Sequence, residues 1–340
     1  MPIIKTLLKA TKLEKEKLTI PKSVQDAIPI QRIWPDGIFQ VGSRFSKTFS
    51  FTDINYQIAG KEDKTAMFLD YSELLNALDS GASAKITINN RKINKAEFEK
   101  SLLLPMKEDG LDHFRKEYNE MLLSKVTGTN NSVVQDRYIT ITVAKRNIDE
   151  ARTYFSRVGT DLITHLSQLS SIGRELDAGT RLQVFRDFFK GNEPAAFAFD
   201  LKEQMKKGHS FKDWLCPDSM EFQKDHFRLN DRWGRVLYLQ GYASYIKDSM
   251  IAELCDMDRS LMLSIDILPV PTDEAVREIQ NKLLGVETNA ANWQRKQNAA
   301  NNFSAVLPYD MEQQRKETKE MLDALTNRDQ RMMFGLVTMV

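Results

Sequence analysis

Three stretches of this chain alternate apolar with polar side chains, and that alternation restricts the fold more than any other feature. In residues 84–90, Ile86 and Ile88 alternate with Lys85, Thr87 and Asn89. In residues 137–145, Ile139, Ile141 and Val143 share one side; in residues 261–268, Leu261, Leu263, Ile265 and Ile267 do. Successive side chains of a strand point to opposite faces, so each stretch predicts a strand with one face buried and one wet. Between them run segments of helical period. Residues 64–78 place Met67, Phe68, Tyr71, Leu74, Leu75 and Leu78 on one stripe. Residues 148–169 do the same with Ala151, Phe155, Val158, Leu162, Leu166 and Leu169. Half-buried strands interleaved with one-sided helices bury both apolar surfaces by stacking helix on sheet.

The remaining signals extend this pattern. Strands are predicted over 37–41 and 46–51, and helices over 95–104, 111–125 and 180–189. Residues 226–229 and 233–239 read as two strands around Asn230-Asp231-Arg232, followed by a helix over 246–255. Pro269 and Pro271 end the strand before them, with Thr272 as helix N-cap and Asp273 and Glu274 at the positive end of the dipole. Further helices are predicted over 287–300 and 310–325, the latter opened by Asp310 and Gln313 at capping-box spacing, and 332–340 closes as a strand. The order strand, strand, helix, strand, helix, strand thus runs twice. It predicts an α+β fold: two ferredoxin-like α/β sandwich subdomains with mostly antiparallel sheets and helices packed on one face. Their expected bounds are 31–190 and 191–340, after a basic N-terminal arm over 1–30.

Charge excludes a global pull toward polyanions: 48 Lys and Arg face 47 Asp and Glu, for a net charge of +1. Attraction to nucleic acid or to an acidic membrane would have to be local. The arm supplies one such patch, where Lys5, Lys9 and Lys12 accompany Ile4, Leu7 and Leu8 at helical spacing. Cys216 and Cys255 are the only cysteines, too few for a disulfide framework, and a reducing cytosol is the expected compartment. No apolar run approaches the roughly 18 residues that span a bilayer, and the start lacks the apolar core of a secretory signal.

Catalytic motifs are missing from the sequence. There is no G-x-x-x-x-G-K-[ST] phosphate loop; the one Gly-Lys pair, Gly60-Lys61, runs into Glu62 and Asp63. Cys216, Asp218, Asp225 and His226 stand close together but offer one sulfur, where structural zinc takes two to four. His113, His165, His209 and His226 accompany no G-x-S-x-G elbow, and Asp256-Met257-Asp258 lacks the remaining ligands of a calcium hand. Trp293, Arg295 and Lys296 interleave aromatic and basic groups, which suits either stacked single-stranded nucleic acid or an exposed helix meeting another protein. The candidate interaction residues are therefore Lys5, Lys9, Lys12, Trp293, Arg295 and Lys296, with no catalytic, cofactor or metal residue assigned.

Several strings carry a family likeness. They are Ile20-Pro21-Lys22-Ser23-Val24-Gln25-Asp26, Ile33-Trp34-Pro35-Asp36-Gly37, Phe51-Thr52-Asp53-Ile54-Asn55-Tyr56 and Lys85-Ile86-Thr87-Ile88-Asn89-Asn90-Arg91. Pro105-Met106-Lys107-Glu108-Asp109-Gly110, Pro269-Val270-Pro271-Thr272-Asp273-Glu274, Asn302-Phe303-Ser304-Ala305 and Asp329-Gln330-Arg331-Met332-Met333 follow in order. Together they resemble the N-terminal region of conjugal transfer ATPases of the type IV secretion system, the VirB-four-like group of Gram-positive conjugative elements. The resemblance covers essentially the whole chain and implies lineage rather than chemistry. It implies a module peripheral to the cytoplasmic face of the inner membrane, in contact with inner-membrane channel subunits and able to form homo-oligomers. It also implies that ATP and Mg belong to a RecA-like domain outside these residues, so that the chain is no enzyme by itself.

Overall fold

The computed structural model describes residues 21–54, 56, 58–92, 103–128, 133–191, 200–242, 249–257, 259–302, 306–328 and 330–340. The chain passes through α1 (Val24–Ala27), β1 (Arg32–Ile33), β2 (Phe39–Val41), β3 (Arg44–Phe51), α2 (Lys61–Asn76), β4 (Ala82–Lys92) and α3 (Asp112–Gly128). Next come β5 (Val133–Ala144), α4 (Ile148–Gln168), β6 (Gly173–Glu175), α5 (Ala178–Lys190), α6 (Leu201–Lys206) and α7 (Phe211–Leu215). A run of short strands follows: β7 (Met220–Phe222), β8 (Phe227–Leu229), β9 (Arg232–Gly234) and β10 (Leu237–Tyr238). The last elements are α8 (Ser249–Cys255), β11 (Leu261–Pro269), α9 (Thr272–Ala299), α10 (Tyr309–Asn327) and β12 (Met333–Met339).

The fold is α+β with antiparallel strand pairing, as the alternation predicts. A nine-stranded sheet runs in the order β1-β2-β3-β5-β4-β11-β12-β10, with β6 added on β3. The three alternating stretches lie side by side at its centre. Ile86 stands between Ile139 and Ile265, and Ala84 between Ile141 and Ile267, so one face of three neighbouring strands is continuously apolar. The strands of the two expected sandwiches therefore share one sheet. β4 pairs with β5 on one side and with β11 on the other, from Ala84↔Ile267 to Asn90↔Leu261. The physical reason is the second edge of β4: in a sheet that ended there, its backbone groups would need another partner.

Helices α2 and α4 cover the apolar face. α4 begins at Asn147, whose side-chain oxygen accepts from Glu150 N–H at 2.9 Å, and Asp149 and Glu150 sit at its positive end. Its Ala151, Phe155, Val158, Leu162 and Leu166 pack with Phe45, Phe49, Ile139 and Ile141 of the sheet, with Leu74 of α2 and with Leu78 just beyond that helix. Gly159 lets α4 approach closely, since a Cβ there would lie 3.1 Å from the Phe49 ring.

The reverse face is polar at its centre, where Thr48 and Thr140 share a 2.9 Å hydrogen bond and Lys85 pairs with Asp266. One end of it is nonetheless covered. A second cluster joins Ile28, Ile30, Phe39, Ala178, Leu182, Leu215 and Cys216, so α5 and α7 add helices beyond the single layer expected. Arg181 of α5 makes that possible. Its guanidinium donates to the Gly37 and Ser46 carbonyls and to Ser46 Oγ, and lies 4.1 Å from the Phe39 ring centroid. An arginine does not announce a buried helix face in a sequence, which is why this layer is not legible there.

α9 is one helix of 28 residues, where the sequence suggested two segments. Leu283, Val286, Ala290, Trp293 and Gln297 are half-buried along it at three- and four-residue spacing, and Thr318 of α10 is buried. Arg315 and Lys319 of α10 reach Glu287 of α9, so the two helices form an antiparallel hairpin. Neither expected side-chain cap forms. Pro271 and Pro308 are the N-cap residues, so Thr272 and Asp310 already lie inside the first turn.

Candidate docking surface

A second, three-stranded sheet, β7-β8-β9, stands apart from the main one. Its two tight connections follow from local chemistry. Asn230 adopts φ +54, a left-handed conformation that asparagine tolerates, and its side-chain oxygen accepts from the N–H groups of Asp218 and Ser219 at 2.9 and 3.1 Å. Arg235 donates from its guanidinium to the Asp225 carbonyl and carboxylate, closing the other turn.

Strand parity then sorts the side chains. Glu221, Arg228 and Trp233 share one face; Phe222 and Phe227 share the other with Gly234. Gly234 is required because a Cβ there would lie 2.2 Å from the Phe227 ring. Trp233 is 65% exposed, with the Arg228 guanidinium 5.4 Å and the His226 ring 5.1 Å from it. Phe222, Val236, Leu237, Tyr238 and Tyr242 are exposed as well, and Leu336 is exposed on neighbouring β12. Large apolar side chains concentrated on one part of a surface mark an interaction site.

A cleft of about 330 Å³ lies between this small sheet and the reverse face of the large one. Asn89, Arg91, Asp187, Phe227, Arg232 and Trp233 are among its walls. Its cations are engaged: Arg91 bonds Asp136 at 2.6 Å, and Arg232 donates to the Phe188 carbonyl at 2.8 Å. Tyr138, nearby, has its hydroxyl pKa pushed up by burial and then by the Asp136 carboxylate.

The potential chemical groups are structural in their surroundings. Cys216 belongs to the apolar cluster under α7, and burial pushes up the thiol pKa of both Cys216 and Cys255, which disfavours the reactive thiolate. His226 Nδ1 lies 2.8 Å from Asp225. The hydrogen bonds from His226 and Arg235 hold the Asp225 carboxyl below the usual carboxylate range. Among the described residues, no three His, Cys, Asp or Glu side chains are grouped to hold a metal ion. No described helix is long and apolar enough to cross a membrane.

The residues singled out from sequence fall elsewhere. Lys5, Lys9 and Lys12 lie outside the described residues. Trp293 is half-buried on the same stripe of α9 as Leu283 and Ala290, while Arg295 and Lys296 are exposed. Sequence reasoning located the turn at Asn230 but not the exposed aromatic surface beyond it. The available signal was composition: Trp233, Tyr238 and Tyr242 within ten residues of strands too short to bury them. In comparison with known proteins, the chain matches no family model and no curated sequence.

Proposed function

We propose that the chain is the N-terminal assembly and docking module of a conjugative type IV secretion ATPase. In this reading it holds inner-membrane channel subunits at the cytoplasmic face of the membrane, and nucleotide chemistry belongs to a domain outside these residues. The single observation that carries the docking role is the run of exposed aromatic and apolar side chains Trp233, Val236, Leu237 and Tyr238 beside the large sheet. A sheet packed by helices is a stiff base, and apolar rings held on it bind without first being ordered. The link to the secretion motor rests on the family likeness of the sequence strings.

Co-purification tests the proposal. The chain, co-expressed with the inner-membrane subunits of a Gram-positive conjugation channel, should be retained by an affinity tag on one of them. Trp233→Ala combined with Tyr238→Ala should abolish retention without lowering the melting temperature. Retention unaffected by the pair, or none in the wild type, contradicts the proposal. Calorimetry with Mg-ATP should give no saturable heat at micromolar nucleotide.

A second reading, single-stranded DNA handling, draws on one observation. An exposed tryptophan with an arginine stacked on it is a platform on which a base can stack. Gel-shift titration separates the two, because DNA binding weakens steeply with salt and a protein partner's apolar contacts do not.

A further inference from the structure

We infer that the outer edge of β12 accepts an extended, apolar segment of a partner protein as an added strand. The inference deepens the docking proposal by naming where and how a partner attaches. It rests on that reading only for the existence of a partner.

The argument begins with parity. Met262 and Val340 exchange both backbone hydrogen bonds, 3.0 and 2.9 Å, so Val340 and every second residue before it point their backbone groups toward β11. Met333, Gly335, Val337 and Met339 therefore point theirs to the outer edge. β10 covers only the last part of that edge, through Leu237↔Met339 and Tyr238↔Thr338, and Leu239 N–H adds a bond to the Val337 carbonyl. Among the described residues, no strand pairs with Met333–Gly335 on that side.

What occupies the next position is a side chain. The Tyr242 hydroxyl accepts from Val337 N–H and donates to the Gly335 carbonyl, each at 3.1 Å. One hydroxyl thus supplies the acceptor and the donor that a neighbouring strand would supply at this point. It satisfies the edge reversibly, since rotation about the Tyr242 side chain frees both groups with no change in the sheet.

The occupant follows from the same chemistry. Alternating outward N–H and C=O groups are matched by extended backbone, not by a helix, whose own backbone groups are already paired. Exposed Leu237, Tyr238, Tyr242 and Leu336 flank the edge, so apolar side chains on the incoming segment find contacts on either side. A second copy of β12 fits less well: twofold pairing would have to centre on the short stretch that β10 leaves open. A single segment needs only to displace the hydroxyl and can then reach Val337.

The test uses the full chain and a fluorescein-labelled synthetic peptide copying residues 235–241, read by fluorescence anisotropy. Two further copies carry N-methyl groups on alternate amides, one in each phase. We expect one phase of methylation to weaken binding tenfold or more and the other to leave it within twofold, because only one phase faces the edge. We expect Tyr242→Phe to tighten binding about fivefold, because it frees the Val337 N–H and the Gly335 carbonyl for the incoming strand. Equal loss in both phases, no loss in either, or no binding to wild type and Tyr242→Phe alike would overturn the inference. So would a peptide-resistant dimer in light scattering, which would give the edge to a second copy. A negative result here, with channel subunits still retained by the chain, removes the strand mechanism and leaves the docking proposal standing.

Discussion

The middle of the large sheet and its β12 end are built from similar strands but differ in burial and in how their edges are finished. In the middle, Phe49 and Ile141 are 0% exposed, pressed under α4, and the reverse side of β3 carries Thr48, which is buried too. At the β12 end, Leu336 is 41% exposed, and beyond it Tyr238 and Trp233 are 64% and 65% exposed. The backbone of β3 is paired on both sides, by β2 and β5; that of β12 is paired on one side and finished on the other by the three residues Leu237 to Leu239 and a hydroxyl. The difference separates what makes the fold stable from what the fold presents.

Substitutions should break along that line. The largest effect is expected at Phe49→Ala, which empties a site touched by Gly159 and should cost about 3–5 kcal/mol in urea unfolding. A loss below about 1 kcal/mol would place the stabilising core elsewhere. Arg181→Met should cost about 1–3 kcal/mol, because it leaves the Gly37 and Ser46 carbonyls buried without their donor. At the other end of the sheet, Trp233→Ala should change stability by no more than about 0.5 kcal/mol, as exposed positions do, while reducing partner retention. If it unfolds the protein instead, the small sheet is scaffold and the contrast fails.

The smallest effect concerns acid. The hydrogen bond from Arg115 holds the Asp109 carboxyl down to about 2, and two backbone N–H groups and Arg115 hold Asp112 below its usual range. A carboxylate depressed in the folded state adds stability above its unfolded pKa, roughly 4, and loses it as pH falls through the folded value. NMR titration should therefore show Asp109 still ionised at pH 3, with its ion pair to Arg115 lost only as pH approaches 2. Asp109 is exposed and Asp112 half-buried on the surface, so overall stability should change little across that range.

How far the sequence discloses this structure depends on which force sets each part. The three central strands were legible because burial on one face alone writes period two into Ile86, Ile139 and Ile265. α4 was legible for the matching reason at period 3.6. The joining of β4 to β11 was not, since antiparallel edges pair through backbone groups that every residue carries. Nor was the buried Arg181, whose partners Gly37 and Ser46 lie far away in sequence. The single length of α9 was missed because Gly285 and Asn289 weaken helix propensity where packing against α10 overrides it. The proposed docking surface was the least legible part. Exposed aromatics follow no period, and Tyr242 matters through one hydroxyl placed by the fold.

The central claim is that a stiff sheet offers its β12 edge and the neighbouring aromatic surface to a partner. Hydrogen exchange on the chain alone and in complex with the channel subunits tests it most directly. The account predicts new protection at Gly335 and Val337 and around Trp233 and Tyr238, with Phe49, Ile86 and Ile141 protected equally in both states. Protection gained only on the α9–α10 hairpin, or exchange at β12 unchanged by a bound partner, would contradict it.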